Sequence, residues 1–124
     1  MEIKDLERPL KDPRGNTIVS DRDREPLKYG EALYSGVYGE PTGGMDSASR
    51  SKANRLGVKI AVILNKIDSL ESEEEKAEVA LVVSVEDIAL IKTLSAFAFN
   101  TMLFGAIERE LENGKLSEEG TEDP

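Results

Sequence analysis

The chain has 124 residues, 39% hydrophobic and 33% charged, with three Phe, three Tyr and no Trp, a composition that suits one small globular domain with a mainly aliphatic core. It contains neither cysteine nor histidine, which excludes disulfides, thiolate nucleophiles, zinc fingers, iron–sulfur ligation and the Ser-His-Asp triad. Residues 1–60 carry 11 Lys/Arg against 10 Asp/Glu and residues 61–124 carry 5 against 15, so the net charge of −9 lies in the second half and opposes direct docking on nucleic acid.

The first predicted element is a short N-terminal hairpin. Asp12, Pro13 and Gly15 occupy positions i, i+1 and i+3 of a type I turn. Thr17–Val19 follows with strand-forming residues, and the dense charge of residues 20–26 predicts an exposed loop.

Two helices are predicted next. Leu27–Tyr38 has near-helical apolar spacing and is followed by helix-ending glycines. After a Gly/Ser-rich loop, Ala48–Ile67 places apolar residues at i, i+3, i+4 and i+7, which predicts an amphipathic helix. Asp46 or Ser47 is expected to cap it.

The acidic block that begins at Glu71 interrupts this pattern and is predicted to be a solvated loop. Residues 79–83 then alternate as in a short strand, which we expect to pair with Thr17–Val19. Ser84 and Asp87 have the spacing of a capping box that opens the last helix.

That last helix is the most extended predicted element, roughly Val85 to Glu112, ending at Asn113-Gly114. Unbroken, it would be about 42 Å long at 1.5 Å per residue, more than a compact domain of this size spans. Part of it would therefore project, or the helix would kink at Asn100 or Gly105.

The predicted fold class is α+β, mostly α: a short N-terminal hairpin and one further strand packed with about three helices, the last long and C-terminal. Residues 1–114 should form a single domain and residues 115–124 a disordered acidic tail, because the tail has four acids and one apolar residue.

Two sequence patterns imitate binding motifs. Asn65–Asp68 matches the N-K-x-D element of GTP-binding proteins, but no phosphate-binding G-x-x-x-x-G-K-[ST] loop accompanies it, so we interpret it as a helix end. Asp21, Asp23 and Glu25 start like a calcium loop, yet Pro26 and Ala32 stand where Gly and Glu are required. We therefore expect no cofactor and no metal.

We also expect that the protein is not an enzyme. Without histidine the usual general base is missing, and the carboxylates lie in segments that should be exposed, where burial cannot shift their pKa values. Met1 is followed by charged residues with no secretion signal, and the longest uncharged run, Thr93–Ile107, is 15 residues, too short for a membrane span.

The most informative segment runs from Leu94 to Ile107, where apolar residues surround the helix axis. Either this is a central core helix covered by the two preceding helices, or one side packs on a partner or a second copy. Small residues such as Ala96 and Ala98 would permit close approach. The predicted partner-binding residues are Phe97, Phe99, Met102, Leu103, Phe104 and Ile107.

Three short pieces give the chain a family resemblance: Arg8–Leu10 with its turn, Glu25–Gly30, and Val83–Lys92. In order and type they resemble small accessory proteins of tailed bacteriophages and prophages. The resemblance implies a non-enzymatic protein that acts in virion assembly or binds a host protein, and it carries over no functional residue.

The sequence thus predicts a protein-protein interaction protein, forming homo-oligomers or binding another protein, in the cytoplasm of a host cell or in a virion. The alternative is an acidic inhibitor that mimics nucleic acid in the channel of a host protein. Neither hypothesis involves direct nucleic-acid or membrane binding.

Overall fold

Within residues 1–41 and 43–119, which the computed structural model of the chain describes, there are five helices and one two-stranded sheet. In chain order they are β1 (Glu2–Ile3), α1 (Tyr29–Val37), α2 (Ser47–Asp68), α3 (Glu73–Glu78), β2 (Leu81–Val82), α4 (Val85–Ala98) and α5 (Thr101–Glu119). This confirms the α+β, mostly α prediction.

The strand partner of β2 differs from the prediction. β2 pairs antiparallel with β1, Ile3 opposite Leu81, and not with Thr17–Val19. The pairing buries both of these side chains in the core, and the terminal amine of Met1 donates to the carbonyl oxygen of Val83 at 3.1 Å.

The predicted turn at residues 12–16 is present. The Asp12 carboxylate accepts from the backbone N–H groups of Arg14 and Asn16 at 2.9 Å each, and Gly15 supplies the φ of +87°. Strand pairing here is limited to isolated bridges, one of which joins Lys11 to Thr17.

α1 begins two residues later than predicted, because the chain before it is extended. The N–H of Leu27 donates to Ile18 at 2.9 Å, and Lys28 forms a bridge with Pro9. The helix lies between α2 and α4 and packs against both. Its small residues allow that close packing: a Cβ added at Gly36 would lie 2.5 Å from the Ser95 hydroxyl oxygen.

α2 confirms the predicted amphipathic helix and its cap. The Asp46 carboxylate accepts from the N–H of Ser49 at 2.7 Å, and this hydrogen bond lowers the pKa of Asp46. Asn65–Asp68 is the last turn of the helix, as predicted.

The acidic block was predicted to be a loop, and that was wrong: residues 73–78 form α3. The Ser72 hydroxyl accepts from the N–H groups of Glu74 and Glu75 at 3.1 and 3.4 Å. Three glutamates in the first turn then face the positive end of the helix dipole, which favours a helix that their mutual repulsion alone would oppose.

The last helix is not continuous: of the two forms predicted for it, the unbroken one was wrong, and the break lies at the predicted Asn100 kink. α4 ends at Ala98 because Phe99 is extended, with φ −125° and ψ 160°, and its ring lies against Gly36. Asn100 starts α5 by accepting from the N–H of Leu103 at 2.9 Å. The break lets α5 fold back onto α4 and α1, which buries apolar surface that a projecting helix would expose.

Gly105 lies inside α5 and makes no break there. The helix passes the predicted stop at Asn113-Gly114 and continues to Glu119, into the segment expected to be disordered. Residues 120–124 of that expected tail lie outside the described residues.

The predicted capping box at the start of α4 is confirmed. The Ser84 hydroxyl accepts from the N–H of Asp87, and the Asp87 carboxylate accepts from the N–H of Ser84, both at 3.0 Å. Desolvation raises the pKa of Asp87, but hydrogen bonds from Ser84 and from Lys59 outweigh it and hold the pKa below its ordinary 3.8.

Asp87→Asn should lower the free energy of unfolding by about 1 kcal/mol at pH 7, the usual size of a cap contribution. Because the folded pKa of Asp87 is lowered, its carboxylate stabilises the fold above pH 3.8 and loses that effect as the pH falls through the folded value. Urea unfolding followed by circular dichroism should therefore show a difference from wild type at pH 7 that becomes smaller as the pH falls below 3.8. Glu86→Gln, in the same turn without the capping hydrogen bonds, is the control; an equal effect would contradict the capping role.

Candidate interaction surface

The structure divides the six predicted partner-binding residues by exposure. Ile107 is 1% exposed and belongs to the core, where its own chain covers it. Phe99 and Leu103 are partly buried and pack against that core, whereas Phe97 and Met102 are 51% and 53% exposed. Phe104 is intermediate.

Phe99 and Leu103 also line a cleft of about 530 Å³ beneath the charged loop at residues 20–26. This loop closes on itself through the N–H of Ser20, which donates to Glu25 at 2.9 Å. Most residues of this loop themselves line the cleft.

The solvent-facing side of α4 carries several exposed uncharged side chains, with the exposed Glu86 beside them in the first turn. Val85 is 83% exposed, and Ala89, Thr93, Ala96 and Phe97 are exposed along the same side. We call these five residues the α4 outer face. The opposite side of α4 carries the buried Ile91 and Leu94 and packs on α1. One side of this helix therefore belongs to the core, and the other is exposed to solvent.

Beside the α4 outer face lies an open groove between α2 and α4, with a volume of about 630 Å³. Its lining comes from two helices that both pack on α1 but only sparsely on each other. We call it the α2–α4 groove. Its residues are Ser49, Lys52, Arg55, Leu56, Lys59, Glu86, Asp87, Ala89, Leu90 and Thr93.

The two banks of this groove differ in charge. Three cations, Lys52, Arg55 and Lys59, line the α2 bank at helical spacings of three and four residues. Lys59 crosses to Asp87 at 3.3 Å, which neutralises both. Within the described part of the chain, Lys52 and Arg55 have no ion pair, so the α2 bank keeps a positive excess.

Among the described residues, no group of three or more Asp or Glu side chains is placed to hold a metal ion. The calcium-like acids do other work: the Asp23 carboxylate accepts from the N–H of Glu25 at 3.1 Å and shapes the loop.

Two buried hydroxyls lack a hydrogen-bond partner among the described residues, those of Tyr29 and Ser95. Burial raises the pKa of Tyr29, although Arg8 acts in the opposite direction, so the phenol stays protonated. The Arg8 guanidinium carbon lies 4.8 Å from the Tyr29 ring centroid and its Nη2 2.6 Å from Glu110, an arrangement that ties the N-terminal segment to α5.

The groove cations were not among the residues that the sequence analysis singled out. Their spacing in α2 was visible in the sequence, but basic residues on the polar side of an amphipathic helix normally indicate a solvated face. Their facing partners, Ala89, Leu90 and Thr93, lie in a different helix, and only the tertiary fold brings the two together.

No helix in the part of the chain described by the structure is long and apolar enough to cross a membrane. Comparison of the chain with family models, with curated proteins and with solved structures finds no match.

Proposed function

We propose that this chain is a non-enzymatic protein-interaction protein whose α4 outer face is covered by a partner protein. The observation that carries the proposal is the exposure of Val85 and Phe97 at the two ends of a helix side, with Ala89, Thr93 and Ala96 between them and one charged side chain, Glu86, in the first turn. One third of the chain is charged, so a surface strip of this kind stands apart from its surroundings.

The energetics favour burial of this strip. Covering about 100 Å² of the Phe97 ring would contribute roughly 2–3 kcal/mol at ~25 cal/mol per Å². Ala89 and Ala96 are too short to keep another backbone at a distance, so a partner helix can approach α4 closely. Aromatic anchors surrounded by small contacts are typical of binding hot spots.

The resemblance to phage accessory proteins supports placing this contact in virion assembly. A second copy is one form of the partner, because an uncharged strip is where two chains of net charge −9 repel least. Light scattering over a concentration series separates this homo-oligomer from a complex with a different protein.

A photoreactive benzoylphenylalanine at position 97 tests the proposal in the cell that naturally makes the protein. We expect one discrete crosslinked adduct, identified by mass spectrometry as a second copy or as another protein. The same probe at Val62, which is 59% exposed on α2 and outside the groove, is the matched control. No adduct at position 97, or the same adduct at both positions, would overturn the proposal.

A second candidate is the acidic inhibitor, which the exposed glutamates of α3 favour. Glu73, Glu74 and Glu75 are all exposed, and only Glu73 has an ion pair within the described residues, with Lys76 at 3.9 Å. For this candidate, neutralising the three glutamates as glutamines should abolish the complex, and salt should weaken it steeply. If the probe is placed at Thr93 and its adduct is lost on Phe97→Ala instead, with α3 intact, that result favours the α4 outer face.

A further inference from the structure

We infer that the α2–α4 groove receives an acidic amphipathic helix of the partner protein. The inference rests on the proposed function and adds the chemistry of the segment that is bound. The proposed occupant of the groove is a segment of a different protein. Binding of a second copy of this chain in the groove would contradict the inference.

The geometry leaves room for a helix at this position. α1 packs against α2 on one side and α4 on the other, while α2 and α4 are joined across the groove by the Lys59–Asp87 ion pair at 3.3 Å. The groove, with a volume of about 630 Å³, is open to solvent, so it can take the side chains of one helix face while the rest of the helix stays outside. A docked helix would take the position that an additional helix occupies in a bundle.

The floor and the part of the α4 bank formed by residues 89–93, beyond the acidic Glu86 and Asp87, select apolar side chains. Leu56 is buried at the base, and Leu90 is partly buried between Ala89 and Thr93. A partner that presented only charge would leave this apolar surface unused. The bound side of the partner helix must therefore carry apolar residues at intervals of three and four.

The α2 bank selects acidic side chains. Lys52 and Arg55 are exposed and have no ion pair among the described residues, whereas Lys59 is already paired with Asp87. Carboxylates three or four residues apart on the partner match the separation of Lys52 and Arg55, and an arginine can bind a carboxylate through two hydrogen bonds. A carboxylate directed at Lys59 would have to compete with Asp87.

The charge of the whole chain argues against nucleic acid as the occupant. A phosphate backbone would meet Glu86 and Asp87 on the α4 bank of the same groove, and the net charge of −9 would repel it. A short acidic helix can place its carboxylates on the α2 bank alone. A second copy would add another chain of net charge −9, which the first chain repels. A segment of a different protein needs acidic residues only along one side of one helix.

The test is a selection from a displayed library of random 16-residue peptides, with the full-length protein immobilised as bait. We expect enriched peptides to carry Asp or Glu three or four positions apart beside an apolar stripe. Their affinity should fall at least tenfold for the bait variant Lys52→Glu/Arg55→Glu and should decrease with salt. Lys66→Glu, on the same helix outside the groove, is the matched control and should change affinity less than twofold.

The inference is overturned if the enriched peptides are neutral or basic, if they bind the double variant as well as wild type, or if nothing is enriched over it. Light scattering that shows a dimer lost in the double variant would replace the foreign helix by a second copy and also overturn it. A specific adduct at position 97 together with any of these results would leave the proposed function intact. Circular dichroism should show that the double variant is folded, because both side chains are exposed.

Discussion

Gly39→Ala should be the most destabilising single-methyl change at the α1–α4 contact, lowering the free energy of unfolding by about 3 kcal/mol. A Cβ at this position would lie 2.4 Å from the carbonyl oxygen of Leu94 and 2.9 Å from the Cβ of Ala98. Neither atom is the end of a flexible side chain, so the backbone of α4 must move. The Gly39 N–H donates to Gly36 at 2.9 Å, which keeps the loop from moving away instead.

Thermal unfolding followed by circular dichroism should show the Gly39→Ala change as a decrease in Tm of roughly 10 °C. Gly43→Ala is the matched control in the following loop, since an added Cβ there would meet no atom within 4 Å. That variant should be unchanged or up to about 1 kcal/mol more stable. Equal stability of the two variants would mean that α1 and α4 are not packed as described.

Some parts of the fold could be predicted from the sequence alone. Local signals were sufficient where a side chain hydrogen-bonds within its own turn: Asp46 at the start of α2, and Ser84 with Asp87 at the start of α4. The apolar spacing of α2 was sufficient as well, because one face of that helix is buried and the other is wet. These features depend on residues three or four positions apart.

The predictions that were wrong depended on distant contacts or on competing local effects. The partner of β2 lies at the far N-terminus, and a two-residue strand carries too little pattern to specify it. The break at Phe99 depends on Gly36, which gives the ring a place to pack. In α3, a serine cap and the helix dipole outweighed the repulsion between glutamates.

The candidate site was predictable only in part for the same reason. An apolar segment such as Leu94–Ile107 has no polar side to mark the surface, so the sequence could not separate Phe97 from Ile107. The basic bank of the groove was visible as spacing in α2, but the apolar bank belongs to α4. The packing of both helices on α1 creates the groove.

Ile107→Ala should therefore lower the stability of the fold far more than Phe97→Ala. Both positions belong to the same predicted partner-binding set. Ile107 is fully enclosed in the core, and its truncation should lower the free energy of unfolding by about 3 kcal/mol through lost burial and the cavity that remains. Phe97 is half exposed, and its truncation should change that free energy by no more than about 0.5 kcal/mol. Urea unfolding at pH 7 measures both values.

The comparison also decides what covers the α4 outer face. If Phe97→Ala were as destabilising as Ile107→Ala, the Phe97 ring would be packed within its own chain. It would then not be free to contact a partner. A stable Phe97→Ala variant that loses the crosslink from a photoreactive probe at Thr93 would instead assign the energy of that ring to the complex. Met102 is comparably exposed in α5. If Met102→Ala also loses the crosslink from Thr93, the contact with the partner extends beyond α4; if the crosslink remains, the contact ends at the break before Thr101.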